Sequence, residues 1–574
     1  MPVMDRSSVT SSDDRTRLPR DTPRALAWAL GLLVAWLWFG NLGLRALTDP
    51  DEGRYAEIPR EMVVSGDWLA PHLNGIQYLE KPPLQYWATA ALYTVLGIKP
   101  WVSRLYTAGL GFATLLLVAW AGRRFFGARA GAFGALMLGS SLLFNALAHI
   151  NTLDMALCFY LTAAAIACAW SQEAAATPAA ARRRLWLAWL CIGLAVLQKG
   201  LVALVLPGFA IFLYVLVQRE WRLLLRLQIP AGLLIVLAVN LPWWWLMAKR
   251  NPGFVDWFFV HEHYTRFTTK QHGRSQPWWY FSALLTVGLL PWLAPVARGA
   301  VAAWRRPAGA NSGAFHTERF LLLWAAAVFI FYSPSGSKLA PYILPMAPPL
   351  ALLAGRYVAL RPLAFPVLRS SLILAASLGL GLLALPWLAT HVHVEEPLHT
   401  GYRRIAQTGA MAGGLLLLAA ALAALLARLR LRLSAVGALA SGLMASLALF
   451  TNASNELERW RGGTRLAEEV RAHLGADTRL FCLDLYPQVT IFSLARTCQV
   501  AGDHGELETQ FDDGEPNWLR SDADFAAAWA AAPAAVAMVD PRTADRWRAL
   551  ATPHVVAARR PYAIILAKPV PAAP

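Results

Sequence analysis

The sequence is short of acid and short of cysteine. Its 574 residues carry 35 Asp and Glu against 52 Lys and Arg, a net charge of +17. Such basicity suits nucleic acid or anionic lipid. No basic–aromatic nucleic-acid motif is present, and much of the arginine lies in short loops where membrane topology accounts for it. A Gly-rich phosphate loop is also missing, so nothing points to a nucleotide. No internal repeat is evident, which argues against the repeated halves of many transporters. The first apolar run, 24–47, has no small-residue cleavage site after it and reads as an anchor, not a removed signal. Of five cysteines, Cys158, Cys168 and Cys191 lie in apolar runs and read as packing residues. Cys482 and Cys498 lie in a polar tail and could pair if that tail is outside the cytoplasm.

What is present is apolar length. The chain is 57% hydrophobic with 25 tryptophans, and its mean hydropathy is +0.42. Runs near the spanning length of about 20 residues recur through most of it, which makes it a polytopic α-helical membrane protein. Seven Arg-rich segments can all face the cytoplasm if spans run over 24–47, 101–121, 129–148, 154–171, 185–198, 201–218, 227–247, 278–302, 319–333, 341–358, 368–390, 405–427 and 434–452. That is about thirteen spans, with residues 1–23 inside, a catalytic membrane region over 24–453, and a tail from 454 to 574 outside. Residues 84–98 are too short to cross comfortably and are expected to lie on the membrane surface, like the helices of the first outer loop, 48–100. Arg403/Arg404 and Lys249/Arg250 then fall outside against the rule, as candidate ligands for anionic head groups. In the tail, "LAEEVRAHL" has a helical period, while "RLFCLDL", "AVAMVD" and "YAIILAK" read as strands, a small α/β domain.

Polar residues gather at the outer boundary. The first loop offers Asp51, Glu52, Arg54, Tyr55, Glu57, Tyr78, Glu80 and Lys81, with Glu57 placed on the solvated face of its helix. Asp154 stands at the mouth of an apolar helix, Lys199 in "LQKGL" and Lys338 in "SGSKLAPYILP"; a loop at 248–277 adds His261, Glu262, His263, Arg266, Lys270 and Arg274. Taken singly, each has a plain reading: acids mark where lipid ends, the lysines snorkel, and Asp154 caps its helix. Ionisable groups at such depth are costly unless paired or wet, so several loops each supplying one suggests a shared cavity. "HEH" at 261–263, with Glu80, could hold a structural zinc ion through Glu80 and His261.

"DPDEGRYAE", "YLEKPPLQYW", "NTLDM" and "SKLAPYILP" resemble the GT-C membrane glycosyltransferases that use polyprenyl-phosphate sugars. Within that class they look most like the lipid A 4-amino-4-deoxy-L-arabinose transferases of Gram-negative bacteria, relatives of the protein O-mannosyltransferases. The resemblance implies Asp51 and Asp154 as catalytic acids. It implies Lys81 and Arg266, with Lys199 and Lys338, as ligands of the carrier phosphate, and Arg54, Tyr55, Tyr78 and Glu80 as cavity lining. It further implies an undecaprenyl-phosphate sugar donor, a lipid A acceptor, no required cofactor, no nucleic acid, a monomer in the inner membrane, and a role in outer-membrane modification and polymyxin resistance. A protein hydroxyl acceptor would need Asp51 as general base; a lipid A phosphate, already ionised, would not. A transporter of a lipid-linked sugar is the reading from another class, disfavoured by charges gathered at one face.

Overall fold

The computed structural model describes residues 24–259, 276–306, 315–361, 364–392, 398–453, 455–456, 458, 462–503, 505, 507 and 517–569. Every segment expected to span holds a helix or a bent pair. α1 (Arg24–Phe39) is shorter than the 24–47 run, because "GNLG" at 40–43 breaks into turns. α4 (Pro100–Phe126) follows α2 (Asp51–Ser65) and α3 (Leu84–Leu96) of the first loop. After it come α5 (Ala128–Ser140) and α6 (Leu142–Ala148), bent by 68°, then α7 (Asp154–Ser171), α8 (Pro178–Lys199) and α9 (Val202–Gln218). Among the described residues six helices are long and apolar enough to cross a membrane, and up to eight if each bent pair is one span. The expected span 278–302 is such a pair: Tyr280–Gly288 and Leu293–Arg305 meet at 111°, with Pro291 in the break, where it can neither donate to nor continue a helix.

Small residues let the bundle close. A Cβ on Gly131 would lie 2.1 Å from the Ala119 carbonyl, so α4 and α5 touch backbone to backbone. Trp38 of α1 is fully buried and donates its indole N–H to the Ala108 carbonyl of α4 at 2.8 Å. Cys158, Cys168 and Cys191 are buried free thiols in this core.

The tail is α/β. Its sheet runs β5-β4-β3-β6-β8-β7, where β3 is Thr478–Leu483, β4 Gln499–Ala501, β5 Trp518–Leu519, β6 Ala534–Val539, β7 Val555–Arg559 and β8 Ile564–Ala567. β3 to β6 pair in parallel and β8 turns antiparallel on β6, with Met538 opposite Ile565. "LAEEVRAHL" lies largely on the helix Gly463–Arg471. Cys482 of β3 and Cys498 beside β4 form a disulfide, with Cα atoms 6.0 Å apart.

The first loop does not lie open on a surface as expected. Residues 52–62 of α2 are buried, because the tail covers the helix: a Cβ on Gly53 would meet the Val489 nitrogen at 2.6 Å. A hairpin of β1 (His72–Leu73) and β2 (Ile76–Gln77) follows, turned by Asn74 and Gly75 at φ of +61° and +75°. Asn-Gly suits that turn because both central residues need positive φ.

Candidate active site

Asp51 opens α2, where a carboxylate is favoured by the helix dipole. Its side chain remains 52% exposed and pairs with Arg54 one turn on. The Arg54 guanidinium is buried and lies over the rings of Tyr55 (5.3 Å) and Tyr78 (5.8 Å). Tyr55 stacks on Tyr86 of α3 at 6.1 Å. Burial pushes the Tyr55 hydroxyl up strongly, Arg54 opposes this, and Asp51, Asp154 and Glu80 add to it, so all four groups lie within electrostatic reach of one phenol. Glu80 and Lys81 close the rim. The Lys81 ammonium is 3.0 Å from the Glu80 carbonyl and 3.7 Å from its carboxylate.

Asp154 stands in the first turn of α7 but caps nothing: its carboxylate pairs with Lys199 at the last turn of α8. The Lys199 ammonium also lies 5.0 Å from the Tyr342 ring, which stacks on Tyr332. Lys338, 7% exposed, donates to the Gln276 carbonyl at 3.2 Å. Neither lysine snorkels; each is folded inward onto a partner. Arg266 and His261, with Glu262, His263, Lys270 and Arg274, lie outside the described residues. Among the described residues no group of three or more His, Cys, Asp or Glu is placed to hold a metal ion, and Glu80, the other half of the expected zinc pair, is beside Lys81.

The groups that hold this site together are Glu52, which the sequence placed at the outer boundary without a role, and Arg45, Arg104, Gln85, Asn151 and Gln198, which it did not single out. Glu52 is fully buried and takes Arg104 of α4 on both carboxylate oxygens (2.8 and 2.9 Å), Arg45, the Thr48 backbone and the Asn151 N–H. These cations and N–H groups hold its acidity at about 2 despite the burial that alone would raise it. One residue from Asp51, it ties α2 to α4 and to the turn that presents Asp154. A second network lies beneath that turn. Gln85 donates to Asn151 (3.0 Å), and Gln198, beside Lys199, donates to Gln85 (2.9 Å). The only signal in the sequence was polar residues inside otherwise apolar helices.

Glu57, expected on a solvated face, is fully buried and holds Arg60 through two bonds of 2.6 and 2.7 Å. The tail provides the cover that a helix lying on a membrane would lack. Glu61 accepts from the Asn74 and Gly75 N–H groups at 2.6 and 2.9 Å. Burial, with Glu57 adding to it, lifts its carboxyl to about 8. Asp49, accepting from the Val489 N–H at 2.7 Å, is lifted by burial to about 6. Two of the four cations that broke the topology rule have acidic partners, Arg250 with Asp67 at 2.8 Å and Arg404 with Glu456 at 3.3 Å, and Lys249 lies over the Trp245 ring at 3.7 Å.

The geometry can do something definite. One end of the bundle presents two carboxylates from separate loops, a buried arginine and the lysines Lys81 and Lys199 beside tyrosine rings. This can neutralise an anionic leaving group and orient a sugar beside it.

Known proteins share this fold. The family Dolichyl-phosphate-mannose-protein mannosyltransferase matches residues 26–258, and the Aminoarabinose transferase C-terminal domain matches residues 466–568. The Undecaprenyl phosphate-alpha-4-amino-4-deoxy-L-arabinose arabinosyl transferase 1 of Sodalis glossinidius is 35% identical over 56% of this chain and 59% of its own length. The alignments thus span about 59% of the first curated relatives. The transferase 1 of Pseudomonas fluorescens is 33% identical over 65% of this chain and 68% of its own. The crystal structure of ArnT from Cupriavidus metallidurans bound to undecaprenyl phosphate superposes with a TM-score of 0.87, at 32% identity over 95% of this chain and 98% of that one. The chain belongs to the family of undecaprenyl phosphate-aminoarabinose arabinosyl transferases, with a GT-C membrane fold.

Proposed function

We propose that the chain transfers 4-amino-4-deoxy-L-arabinose from an undecaprenyl-phosphate carrier to phosphate groups of lipid A. The reaction takes place at the periplasmic face of the inner membrane, with about thirteen spans, the N-terminus cytoplasmic and the tail periplasmic. The enzyme works as a monomer and requires no cofactor. The observation that carries this reading is the convergence of Asp51, Arg54, Asp154, Lys199, Glu80 and Lys81 at one end of the bundle. The fold around them matches, nearly end to end, a relative crystallised with undecaprenyl phosphate.

A lipid A phosphate oxygen attacks C1, the bond from C1 to the carrier phosphate breaks, and the electron pair leaves with that phosphate. One displacement inverts the anomeric centre. Lys81, Arg266 and Lys338 neutralise the departing phosphate, and Lys199 joins them through its pair with Asp154. Arg54, Tyr55, Tyr78 and Glu80 line the pocket. The acceptor is already ionised, so Asp51 works by holding the sugar ammonium and meeting positive character as it develops at C1.

The mannosyltransferase match over 26–258 favours one second reading, a protein hydroxyl acceptor with Asp51 as general base. Purified protein in detergent, given undecaprenyl-phosphate aminoarabinose together with lipid A and a Ser/Thr-rich protein, separates the readings. A one-sugar mass increase on lipid A is expected. An increase on the protein instead supports the second acceptor, and no transfer where sidedness is abolished points to a transporter.

A further inference from the structure

The far end of the bundle carries a second polar feature with no part in the chemistry above. Within α4, the stretch from Arg104, which grips Glu52, to Phe126 rises about 33 Å at 1.5 Å per residue, close to a bilayer core of about 30 Å. At the Phe126 end a cavity of about 200 Å³ opens between the helices Leu293–Arg305 and Ala347–Ala359. Its floor is Ala302, Ala303 and Leu353, and its mouth holds Arg356, Tyr357 and Arg361. Exposed Leu360 shares that rim, so the mouth lies where apolar side chains meet charged ones.

The charges there do not balance. Among the described residues Glu318 is the carboxylate paired with this cluster, and it is shared by Arg306 and Arg356, the latter at 2.9 Å. Arg361 lies over the Tyr357 ring at 5.0 Å, and Arg356 over Phe126 at 5.3 Å. A guanidinium held by its face keeps its in-plane N–H donors at the edge, the geometry that takes up phosphate oxygens in pairs. Three arginines with one acid shared by two of them, at a membrane boundary and above an apolar floor, match a phosphodiester with hydrocarbon attached. A zwitterionic headgroup would bring a second cation to the same place. Basic pockets between spanning helices recognise anionic headgroups in this way.

We propose that this cavity is a binding site for the phosphodiester headgroup of an anionic membrane lipid, held by Arg356 and Arg361 in the leaflet opposite the transfer site. It is separate from the transfer chemistry, so its test does not depend on activity.

Delipidated, purified protein is titrated with phosphatidylglycerol, phosphatidylcholine or inorganic phosphate, and occupancy is read by native mass spectrometry. Wild type should prefer phosphatidylglycerol to phosphatidylcholine by tenfold or more, at about fivefold per engaged arginine. Arg356→Gln/Arg361→Gln should lose that preference to within about twofold. The charge-matched pair Arg182→Gln/Arg183→Gln, on α8 and outside the cavity, should keep it. Should the double variant fail to fold, Arg361→Gln alone, which leaves both Glu318 pairs intact, should still cost about fivefold. An unchanged preference in either cavity variant, or an equal loss in the α8 pair, overturns the proposal. Selective uptake of inorganic phosphate without phosphatidylglycerol overturns it in favour of a soluble anion.

Discussion

The helix bundle and the assembly of first loop and tail bury different things. The bundle buries methyl and aromatic groups and closes through small residues, as where Gly131 meets Ala119. The assembly buries charge: Glu52, Arg54, Glu57, Arg60 and Glu61 on one helix, with Arg104 reaching in from α4, are all under 9% exposed. Lipid can solvate a poorly fitted apolar helix, but nothing solvates a buried carboxylate except the partner that the fold supplies. The site therefore stands on its ion pairs and cannot be separated from them.

Adjacent residues of α2 give the largest test of that contrast. Glu52→Gln leaves Arg104 and Arg45 facing a neutral amide in a buried site, which should cost about 3–5 kcal/mol. Thermal melting in detergent should show a large loss, or the protein should fail to fold. Asp51→Asn, half exposed and still able to accept from Arg54 through its amide oxygen, should cost only about 1 kcal/mol in melting while transfer falls about a hundredfold. Carrier-lipid affinity should stay within about threefold if Asp51 meets charge that develops mainly in the transition state. Equal melting losses in the two variants, or full transfer by Asp51→Asn, would erase the distinction between the faces of this helix.

The contrast also explains what could be read in advance. Apolar runs declare themselves by length, so helices at the expected spans follow from lipid thickness alone, and β3, β6 and β8 of the tail follow from their short apolar runs, whereas β4, β5 and β7 were not read. Asp154 and Lys199 stood out as charges at the ends of apolar runs, and Asp51, Arg54, Tyr55, Glu80 and Lys81 stood out through the motifs "DPDEGRYAE" and "YLEKPPLQYW". The burial of Glu52 and Glu57 was not legible, for a charge inside a polar stretch looks solvated until the covering surface is known. That surface comes from residues 463–500, more than four hundred positions away, where Val489 reaches Asp49. The bend at Pro291 had a local signal in its proline, and the Gln85–Gln198 network had only misplaced amides.

Acidity sharpens the contrast next. The Glu61 carboxyl sits at about 8 against an ordinary 4.5, raised by burial and by Glu57, with Arg60 and two backbone N–H groups opposing. Between those values the unfolded chain has released this proton and the folded chain keeps it, so the joint of loop and tail loses stability as pH rises. Asp49, moved from 3.8 to about 6, adds in the same direction over a lower window. Amide exchange across residues 72–77 should accelerate, beyond the intrinsic pH effect, from pH 5 to 8. The bundle helices should show no such excess. Glu61→Gln should flatten the response, and a response unchanged in that variant would remove Glu61 as its origin.

The smallest effect belongs to the joint of first loop and tail, inside the second region. Asn74 donates from its side chain to the Cys498 carbonyl at 2.9 Å and accepts the Cys498 N–H at 2.9 Å, the residue whose sulfur is tied to Cys482. Asn517 in turn donates to the Asn74 carbonyl at 2.8 Å. Asn also tolerates the φ of +61° that the turn imposes, which alanine does not favour. Asn74→Ala should therefore cost about 2 kcal/mol, from two buried hydrogen bonds and the strained turn. Asn74→Gly keeps the turn and loses only the side-chain bonds, so it should recover part of that cost. Because Asn74 touches the tail and not the spans, the loss should appear as earlier proteolytic release of residues 463–569, with protection of the bundle unchanged. If the bundle loosens equally, the loop, tail and spans unfold as one unit, and the difference between the regions is one of composition and not of cooperativity.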